Sequence, residues 1–369
     1  MSKKILYTWH KYLGLFSGLL LLVVGLSGTV LVFHQEIDEA EFAPYLKVEN
    51  TQKVSIDRAL KSVKAQFPEY AVRVRQFSEE PTSALWLGLR KPDDRKFVLV
   101  HPSNGQILYT VDTYSTISAW MLKLHYALHA GVAGRILVFL TGILFLGSLI
   151  TGLIVYRKSL VKVFLWKVKP NFKSWRATSS YLHRVVGVWA LLFNLMMAIT
   201  GVWLSYSVVT HGIKTFGKGQ ASPEPPAMST SVDGVLADLK QMYPDFHPSY
   251  IMWPKSENAS IRIFGRRQED SPLWSRFANI VSVNHLTGKV EKASWIKDEG
   301  IGKQLLSMVR PLHYVEYGGW LVKLIYCLGG LTPPLLSITG FLLWKYRRQA
   351  RKNKQVQQQR KVAVMATGF

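Results

Sequence analysis

Residues 9–28 read WHKYLGLFSGLLLLVVGLSG. The same pattern returns in residues 182–201, which read LHRVVGVWALLFNLMMAITG and place His183 where the first copy has His10. In both copies one glycine follows the histidine after four residues, and another follows after eighteen. We therefore interpret the chain as a duplicated unit in which a histidine stands at the start of an apolar stretch.

A second pair of histidines shows the same duplication. Leu124-His125-Tyr126 matches Leu312-His313-Tyr314, and each triplet precedes an apolar stretch that ends in Ile-Thr-Gly. Ionisable residues at the edges of membrane spans are costly, and they tend to be kept for a function. The repeated histidines are therefore the first candidates for a functional site.

The distribution of apolar residues predicts a membrane protein. A chain of 369 residues with 48% hydrophobic content would by itself suit one or two soluble domains. Four runs, however, carry no Lys, Arg, Asp or Glu, and each is about 20 residues long, enough to span the hydrocarbon as a helix. They are Tyr12–Phe33, Ile136–Tyr156, Val185–Ser207 and Leu324–Trp344. The first run could be a signal peptide, but no Ala-x-Ala-like site precedes His34, which favours an uncleaved helix.

The placement of the positive charges behind the net charge of +23 indicates the topology of the protein in the membrane. It does not indicate a nucleic-acid partner, and none is expected. The basic residues cluster in three short flanking segments, which the positive-inside rule places in the cytoplasm together with both termini. Segments 35–120 and 212–318 then lie outside. The cytoplasmic cations are Lys3, Lys4, Arg157, Lys158, Lys162, Lys167, Lys169, Lys173, Arg176, Lys345, Arg347, Arg348, Arg351, Lys352 and Lys354.

Both outer segments predict a small α+β module. An amphipathic helix begins at Val54–Lys61 in the first and at Ser231–Leu236 in the second, and a proline ends each. Short strand-like runs and a hairpin at Asn104-Gly105 or Thr287-Gly288 follow, which indicates one helix over three or four antiparallel strands. The strand-like runs are Val72–Phe77, Ala84–Leu89, Phe97–His101, Tyr250–Trp253, Ser260–Phe264 and Asn279–Asn284.

Two segments fall outside the modules and spans. The Pro-rich residues 222–226 are interpreted as a linker, and the Gln-rich tail after Lys352 is expected to be disordered. The predicted organisation is 1–34 N-terminus and helix 1, 35–120 module 1, 121–156 helix 2 with its His-bearing approach, 157–180 basic loop, 181–211 helix 3, 212–310 module 2, 311–346 helix 4 with its approach, and 347–369 basic tail.

These features resemble the PepSY-associated transmembrane family over roughly residues 5–347. A Ser-x-Asp-x-Ala-Leu helix and the hairpin Val100-His101-Pro102-Ser103-Asn104-Gly105 look like a PepSY module, and WHKYLG, Leu-His-Ala-Gly and Leu-x-x-Thr-Gly accompany the helices. The resemblance implies an α-helical protein of the bacterial inner membrane with four transmembrane helices in two parallel repeats, each carrying a small α+β PepSY-like periplasmic module. It also implies a role in iron acquisition, since the family includes haem-containing ferric-siderophore reductases.

A haem iron held by two imidazoles needs histidines on facing helices. His10 and His183 are repeat mates near the cytoplasmic side, so they are predicted to share one haem; the alternative is that they face lipid headgroups. The outer side offers His34, His125, His129 and His313, with His211 as a substitute for the missing mate of His34. At most two of these can hold one outer haem, and a further pair would allow another. Unused histidines would contact a substrate or relay protons.

Further residues were assigned around these histidines. Arg135 and Arg184 are expected to pair with haem propionates, although a snorkelling interfacial arginine is an equal alternative. His101, His247 and His285 are interpreted as surface residues. Small residues would let the macrocycle approach the backbone, although close helix packing explains many of them. They are Gly14, Ser17, Gly18, Gly25, Gly28, Gly142, Gly147, Gly152, Gly187 and Gly201.

The sequence thus favours an inner-membrane ferric-chelate reductase, an oxidoreductase with two haem b groups. Its acceptor would be a periplasmic ferric-siderophore or other ferric chelate, with copper or another oxidised metal left open. No Gly-x-Gly-x-x-Gly motif follows a strand, so the donor is expected to be a quinol or a partner protein. A single cysteine, Cys327, excludes an intrachain disulfide and a cysteine-ligated iron–sulfur cluster. The alternative is a non-enzymatic ligand-binding or transport-associated membrane protein.

Overall fold

The structure is a computed structural model that describes residues 2–49, 52–76, 80–91, 94–215, 230–254 and 259–366. The chain divides into two compact units. The membrane unit comprises Met1–Val32, Lys123–Thr210 and Trp320–Phe369, and the sheet unit comprises Phe33–Leu122 and His211–Gly319. Each unit is therefore built from segments that are distant in the sequence.

The described residues form helices and one sheet. The helices are α1 (Lys3–Leu31), α2 (His34–Leu46), α3 (Ile56–Gln66), α4 (Ile117–Ala127), α5 (Gly131–Tyr156), α6 (Leu160–Phe164), α7 (Trp175–Trp189), α8 (Leu191–Thr215), α9 (Val232–Met242), α10 (Ile301–Tyr314), α11 (Gly319–Gly330) and α12 (Thr332–Ala366). The strands are β1 (Ala71–Gln76), β2 (Leu85–Arg90), β3 (Arg95–Val100), β4 (Ile107–Asp112), β5 (Phe246–Met252), β6 (Ile261–Arg267), β7 (Asn279–Val283) and β8 (Val290–Ser294).

Four helical segments are long and apolar enough to cross a membrane. They are Lys3–Leu31, Gly131–Phe164, Leu191–Lys214 and Gly319–Gln359, and each overlaps one of the four runs predicted from the sequence. The chain is therefore a multi-pass membrane protein. The helices extend beyond the apolar runs because charged residues at the ends of a span continue the helix into the interface.

Ala190 separates α7 from α8, which begins the third span, and Leu331 interrupts the last span between α11 and α12. The second break lies immediately before Pro333-Pro334, where prolines are accepted because the first turn of a helix has no intrahelical partner for its N–H groups. Asn194 Nδ2 donates a hydrogen bond to Thr332 Oγ1 at 3.0 Å, so α8 supports the start of α12.

Small residues allow the helices of the membrane unit to pack closely. Helix α1 packs against α5 and α12, and α12 also packs against α7. A Cβ atom added to Gly25 would lie 2.6 Å from Cδ of Pro334, which shows how closely α1 approaches the start of α12. Close approach of this kind favours association of helices in a lipid environment.

The sheet unit contains a single antiparallel sheet in the order β4-β3-β2-β1-β5-β6-β7-β8. The sequence predicts two separate modules, whereas the structure joins four strands from each half through β1 and β5, where Val74 lies opposite Ile251. An exposed edge strand leaves backbone N–H and C=O groups without partners. Pairing β1 with β5 removes one such edge from each half.

The core of this unit lies between the sheet and helices α3 and α9. Alternate residues along β1, Val72 and Val74, are buried with Leu60 and Val63 of α3. Leu239 of α9 belongs to the same core. Because side chains alternate between the two faces of a strand, the residues between the buried ones lie on the face that carries neither helix.

The predicted hairpins are present, with Gly105 at φ +76° and Gly288 at φ +71°, where a residue with a Cβ would be strained. The predicted linker at 222–226 and the end of the first predicted strand at Phe77 lie outside the described residues. The prediction of a disordered tail is wrong, because α12 continues to Ala366. The tail after Trp344 contains Lys, Arg, Gln and Ala but no Gly or Pro before Ala366, a composition that favours a helix.

Candidate functional site

His10 of α1 and His183 of α7 lie opposite each other in the membrane unit. Their ring centroids are 6.2 Å apart, and the ring planes are inclined at 71°. The two residues are 173 positions apart in the chain, and they are the pair that the repeat predicts. The fold therefore brings the two repeat mates together.

The Nδ1 atoms of both rings are engaged in hydrogen bonds. His10 Nδ1 lies 2.9 Å from the carbonyl oxygen of Ser148. His183 Nδ1 lies 3.0 Å from Thr339 Oγ1, and the Thr339 hydroxyl itself donates to the Leu335 carbonyl. A carbonyl oxygen only accepts, so Nδ1 of His10 carries the proton. When Nδ1 of a neutral imidazole carries the proton, Nε2 keeps its lone pair and can bind a metal ion.

His125 of α4 is held in the same manner. Its Nδ1 lies 2.8 Å from the carbonyl oxygen of Val24 and 3.3 Å from Ser27 Oγ, both on α1. A Cβ atom added to Gly28 would lie 2.9 Å from His125 Cε1. The ring thus rests on a glycine four residues after the carbonyl that it contacts.

This arrangement, a polar group that contacts Nδ1 and a glycine beside the ring, occurs at all three histidines, and we call it the histidine notch. For His10 the notch is Ser148 with Gly152, whose added Cβ would lie 2.9 Å from His10 Cε1. For His183 it is Thr339 with Gly340, whose added Cβ would lie 3.3 Å from His183 Cε1. Any side chain in place of these glycines would push on the ring.

The histidine notch was not predicted, although the sequence contains a signal for it. The glycines were expected to make room for a macrocycle, whereas Gly28 and Gly152 contact histidine rings. Each notch glycine follows a serine or threonine, and the same pair recurs as Thr200-Gly201 on α8, where Thr200 is buried. The hydroxyl-glycine pairs of the notches are Ser27-Gly28, Thr151-Gly152 and Thr339-Gly340.

A cavity of about 680 Å³ surrounds His10 and His183. Its size lies within the range of cofactor pockets. Apolar side chains line most of it, together with five cationic residues, which are Lys11, Arg184, Arg347, Arg348 and Arg351. The cavity therefore suits a flat apolar group that carries negative charges at its edge.

The distance between the two rings supports the same conclusion. Imidazole nitrogens bind first-row metal ions at about 2.0–2.1 Å, and a ring centroid lies roughly 1.1 Å behind the nitrogen, so two opposed imidazoles on one ion hold their centroids about 6.3 Å apart. The separation of 6.2 Å between His10 and His183 matches this value. Among the described residues no group of three or more His, Cys, Asp or Glu is placed to hold a bare ion. A pair of histidines instead suits an iron ion whose other four ligands are the nitrogen atoms of a macrocycle.

The two predicted propionate partners differ. The Nε atom of Arg135 is buried and has no hydrogen-bond partner among the described residues, and the guanidinium lies 5.8 Å from the ring centroid of Tyr126, next to His125 in the chain. Arg184 is exposed, donates from Nε to the Ser180 carbonyl at 2.9 Å and lines the cavity. Arg135 thus has a buried donor available for an anionic group.

The remaining predicted histidines have other environments. His129 is exposed and has a φ of 54° in the turn between α4 and α5. His34, His211 and His313 belong to the sheet unit, where His34 begins α2 and His313 lies in the last turn of α10. His129 thus shares the membrane unit with His125, and the other three histidines lie in the sheet unit.

A family model described as the PepSY-associated TM region matches residues 7–347. The chain belongs to the PepSY-associated transmembrane family. No curated protein matches it. The matched region begins before His10 and ends after Gly340, so all three histidine notches of this PepSY-associated protein lie within it.

Three further histidines of the PepSY-associated protein were predicted to be surface residues. His247 is exposed, and His101 is partly buried with Nδ1 3.3 Å from Ser103 Oγ. The prediction is wrong for His285, which is only 5% exposed. The residue lies two positions after Val283, the last residue of β7 and part of the core, so its position in the fold buries it despite its polar ring.

Proposed function

We propose that this PepSY-associated protein is a haem-b reductase of a bacterial inner membrane that delivers electrons to a periplasmic ferric chelate such as a ferric-siderophore. The observation that carries the proposal is the pairing of His10 and His183 at 6.2 Å with both Nδ1 atoms engaged. Family membership supports a membrane protein, and the histidine geometry supports its use of haem.

The residues around the first pair have distinct roles in this proposal. His10 and His183 would hold the haem through their imidazoles, and haem b bound there would supply a one-electron centre. Ser148 and Thr339 fix the tautomer and orientation of the rings through Nδ1, which also makes the ligands more basic. The cationic side chains that line the cavity would neutralise the propionates.

The proposal includes a second haem. His125 presents the same Nδ1 contact and the same glycine as the first pair. Its second ligand would be one of His34, His129 and His313, and Arg135 would pair with a propionate through its buried Nε. Two centres in one four-helix protein would provide a route for electrons through the apolar layer.

The orientation in the proposal follows from charge. The basic segments that flank the spans would lie in the cytoplasm with both termini, and the sheet unit in the periplasm as two PepSY-like modules of two parallel repeats. The electron donor would be a membrane quinol or a partner protein. The net reaction is the one-electron reduction of ferric to ferrous iron, and the larger, less charged ion binds more weakly to the oxygen ligands of a siderophore.

Spectroscopy of the detergent-purified protein tests the proposal. Protein made under haem-replete conditions should show a low-spin b-type spectrum in the reduced-minus-oxidised difference, with about two haems per chain. Addition of a ferric chelate to the reduced protein should reoxidise it. A haem protein that no ferric chelate reoxidises would contradict the reductase assignment.

A colourless protein would support the other candidate, a non-enzymatic ligand-binding or transport-associated protein in iron acquisition. The sheet unit favours retaining this candidate, because the face of the sheet opposite α3 and α9 carries arginine and aromatic side chains that suit a ligand. Colour separates the two candidates directly, since only a haem protein shows a Soret band.

A further inference from the structure

The face of the sheet that carries neither α3 nor α9 bears a cluster of arginines at its centre. Val72 and Val74 of β1 point into the core, so Arg73 and Arg75 lie on the opposite face. Tyr250 of β5 lies beside them, and Arg73 Nη1 donates a hydrogen bond to its hydroxyl at 3.4 Å. This cluster therefore sits where the two halves of the sheet meet.

Aromatic rings and two more arginines extend the cluster. The guanidinium groups of Arg276 and Arg310 lie 5.0 and 4.9 Å from the ring centroid of Phe277. That ring packs edge-to-face with Tyr250 at 5.5 Å. The charges of Arg276 and Arg310 also act on Arg75, so these three arginines share one electrostatic environment. We call this group the arginine–aromatic face: Arg73, Arg75, Tyr250, Arg276, Phe277 and Arg310.

Acidic residues neutralise only part of this charge. Glu316 pairs with Arg310 at 2.9 Å, and Asp38 lies near Arg75. Burial raises the pKa of Asp38, whose charge still acts favourably on Arg75. Within the described part of the chain, Arg73, Arg75 and Arg276 form no salt bridge.

Arg276 also has an unused donor. Its Nε atom is buried and has no hydrogen-bond acceptor among the described residues. A buried donor without a partner costs free energy, and an anionic acceptor that reached it would recover that cost. The face thus combines excess positive charge, half-buried aromatic rings and a buried donor.

We infer that the arginine–aromatic face binds the ferric chelate of the proposed function and selects trianionic complexes with aromatic ligands, the ferric tris-catecholates. Three catecholate dianions on one Fe³⁺ leave three negative charges, which the arginines would pair. The catechol rings would stack on guanidinium and aromatic planes. A tris-hydroxamate complex has neither the charge nor the rings. The inference rests on the proposed function for its ligand.

Gallium complexes test binding without electron transfer, because Ga³⁺ has the charge and coordination of Fe³⁺ but is not reduced under these conditions. The probes are Ga³⁺ complexes of a synthetic hexadentate tris-catecholate and of a neutral tris-hydroxamate, titrated calorimetrically into the full chain in neutral detergent. We expect the tris-catecholate to bind at least tenfold more tightly. Arg75→Gln and Arg276→Gln should each weaken it about tenfold, which is the effect of losing about 1.4 kcal/mol.

Lys61→Gln is the matched control, since it removes one positive charge from the exposed side of α3 in the same unit. It should leave the affinity unchanged, and an unchanged melting temperature in each variant shows that the unit is folded. Arg276→Lys, which keeps the charge but not the planar fork, should weaken binding less than Arg276→Gln.

Equal affinity for the two gallium complexes, or no effect of either glutamine variant, would overturn the inference. Micelles containing phosphatidylglycerol distinguish the other source of anions: if they displace the catecholate complex and bind with the same dependence on Arg75 and Arg276, the face is a lipid-headgroup site instead. Since gallium binding needs no haem, a colourless protein that binds the tris-catecholate would refute the reductase proposal and retain this one.

Discussion

Asp57 and Asp233 each cap the helix that the other residue belongs to. Asp233 at the start of α9 accepts hydrogen bonds from Ser55 Oγ at 2.7 Å and from the Ile56 N–H at 2.9 Å, at the start of α3. Asp57 at the start of α3 accepts from the N–H of Val232 at 2.8 Å. The exchange satisfies N–H groups that a helix leaves without partners at its beginning. It also relates the two halves of the sheet unit by the same contact in both directions.

Loss of either cap should destabilise the sheet unit. We expect Asp57→Ala and Asp233→Ala each to lower the free energy of unfolding by about 1–2 kcal/mol, because each removes several hydrogen bonds to a helix terminus. Thermal unfolding in detergent, followed by circular dichroism, measures the effect. Asp238→Ala, at an exposed position of α9, is the control. Melting curves that coincide with the wild type for both cap variants would show that the exchange contributes nothing.

The pairing of His10 with His183 predicts a shared loss. Replacement of either residue by alanine should remove the same haem, so each single variant and the double variant should retain about one haem per chain instead of two. Haem extracted as the pyridine haemochrome measures the content. His247→Ala, at an exposed position of β5, should retain the full amount. Additive losses in the double variant would mean that the two residues serve different haems.

The histidine notch predicts that a methyl group at position 152 displaces the His10 ring and disturbs haem binding. In Gly152→Ala the new Cβ would lie 2.9 Å from His10 Cε1, closer than carbon atoms approach without displacement. We expect the His10 ring to move and the low-spin spectrum to be weakened or lost. In Gly18→Ala, also on a packed helix, the nearest contact would be an ordinary 3.5 Å to Ser337 Cβ. The spectrum of that variant should stay intact, and similar spectra from both variants would contradict the role of the notch.

Thr339 should tune the reduction potential. In Thr339→Val the acceptor for His183 Nδ1 is lost, so the imidazole becomes a weaker donor to iron. A less basic ligand stabilises ferric iron less, and the midpoint potential of that haem should rise. Redox titration followed by visible spectroscopy gives the potential. Thr141→Val, another buried threonine that bonds only its own helix, should cause no change. A fall in potential for the Thr339 variant would run against this account.

An ion pair in the sheet unit predicts a dependence on pH. The hydrogen bond from Arg267 Nε, at 2.6 Å, lowers the pKa of Asp245 below its usual value of 3.8. A carboxyl whose pKa is lower in the folded state stabilises the fold above its unfolded pKa, and this contribution is lost as the pH falls through the folded value. The melting temperature of Asp245→Asn should therefore approach that of the wild type as the pH falls from about 6 to about 3. The pair is partly exposed, so high salt should also reduce the difference.

The sequence predicted the features that depend on local pattern. Apolar runs without charges located the four spans, and the duplicated motif identified His10 and His183 as mates before any geometry was known. Turn glycines at 105 and 288 marked the hairpins. These succeed because span length, helix period and positive φ are each determined by a few neighbouring residues.

The features that depend on distant partners were not predictable in this way. Nothing in β1 indicates that its neighbour will be β5, since the alternation of apolar and polar residues in β1 suits any partner strand. The arginine–aromatic face likewise appears only when Arg75, Arg276 and Arg310 are brought together from distant segments. The notch glycines were predicted to be sites of close approach. Their contact with a ring on another helix could not be inferred, because it depends on residues distant in the sequence.

The junction between β1 and β5 has a consequence for how the protein is made. Arg73 and Tyr250, which meet across that junction, are 177 residues apart, and two of the candidate spans lie between them. During synthesis β1 stays unpaired until both intervening spans and strand β5 have been synthesised. Pairing over such a separation is slow to form. Membrane insertion and completion of the sheet are thereby coupled, so a chain that stalls before the third span would display an adhesive strand to chaperones and proteases.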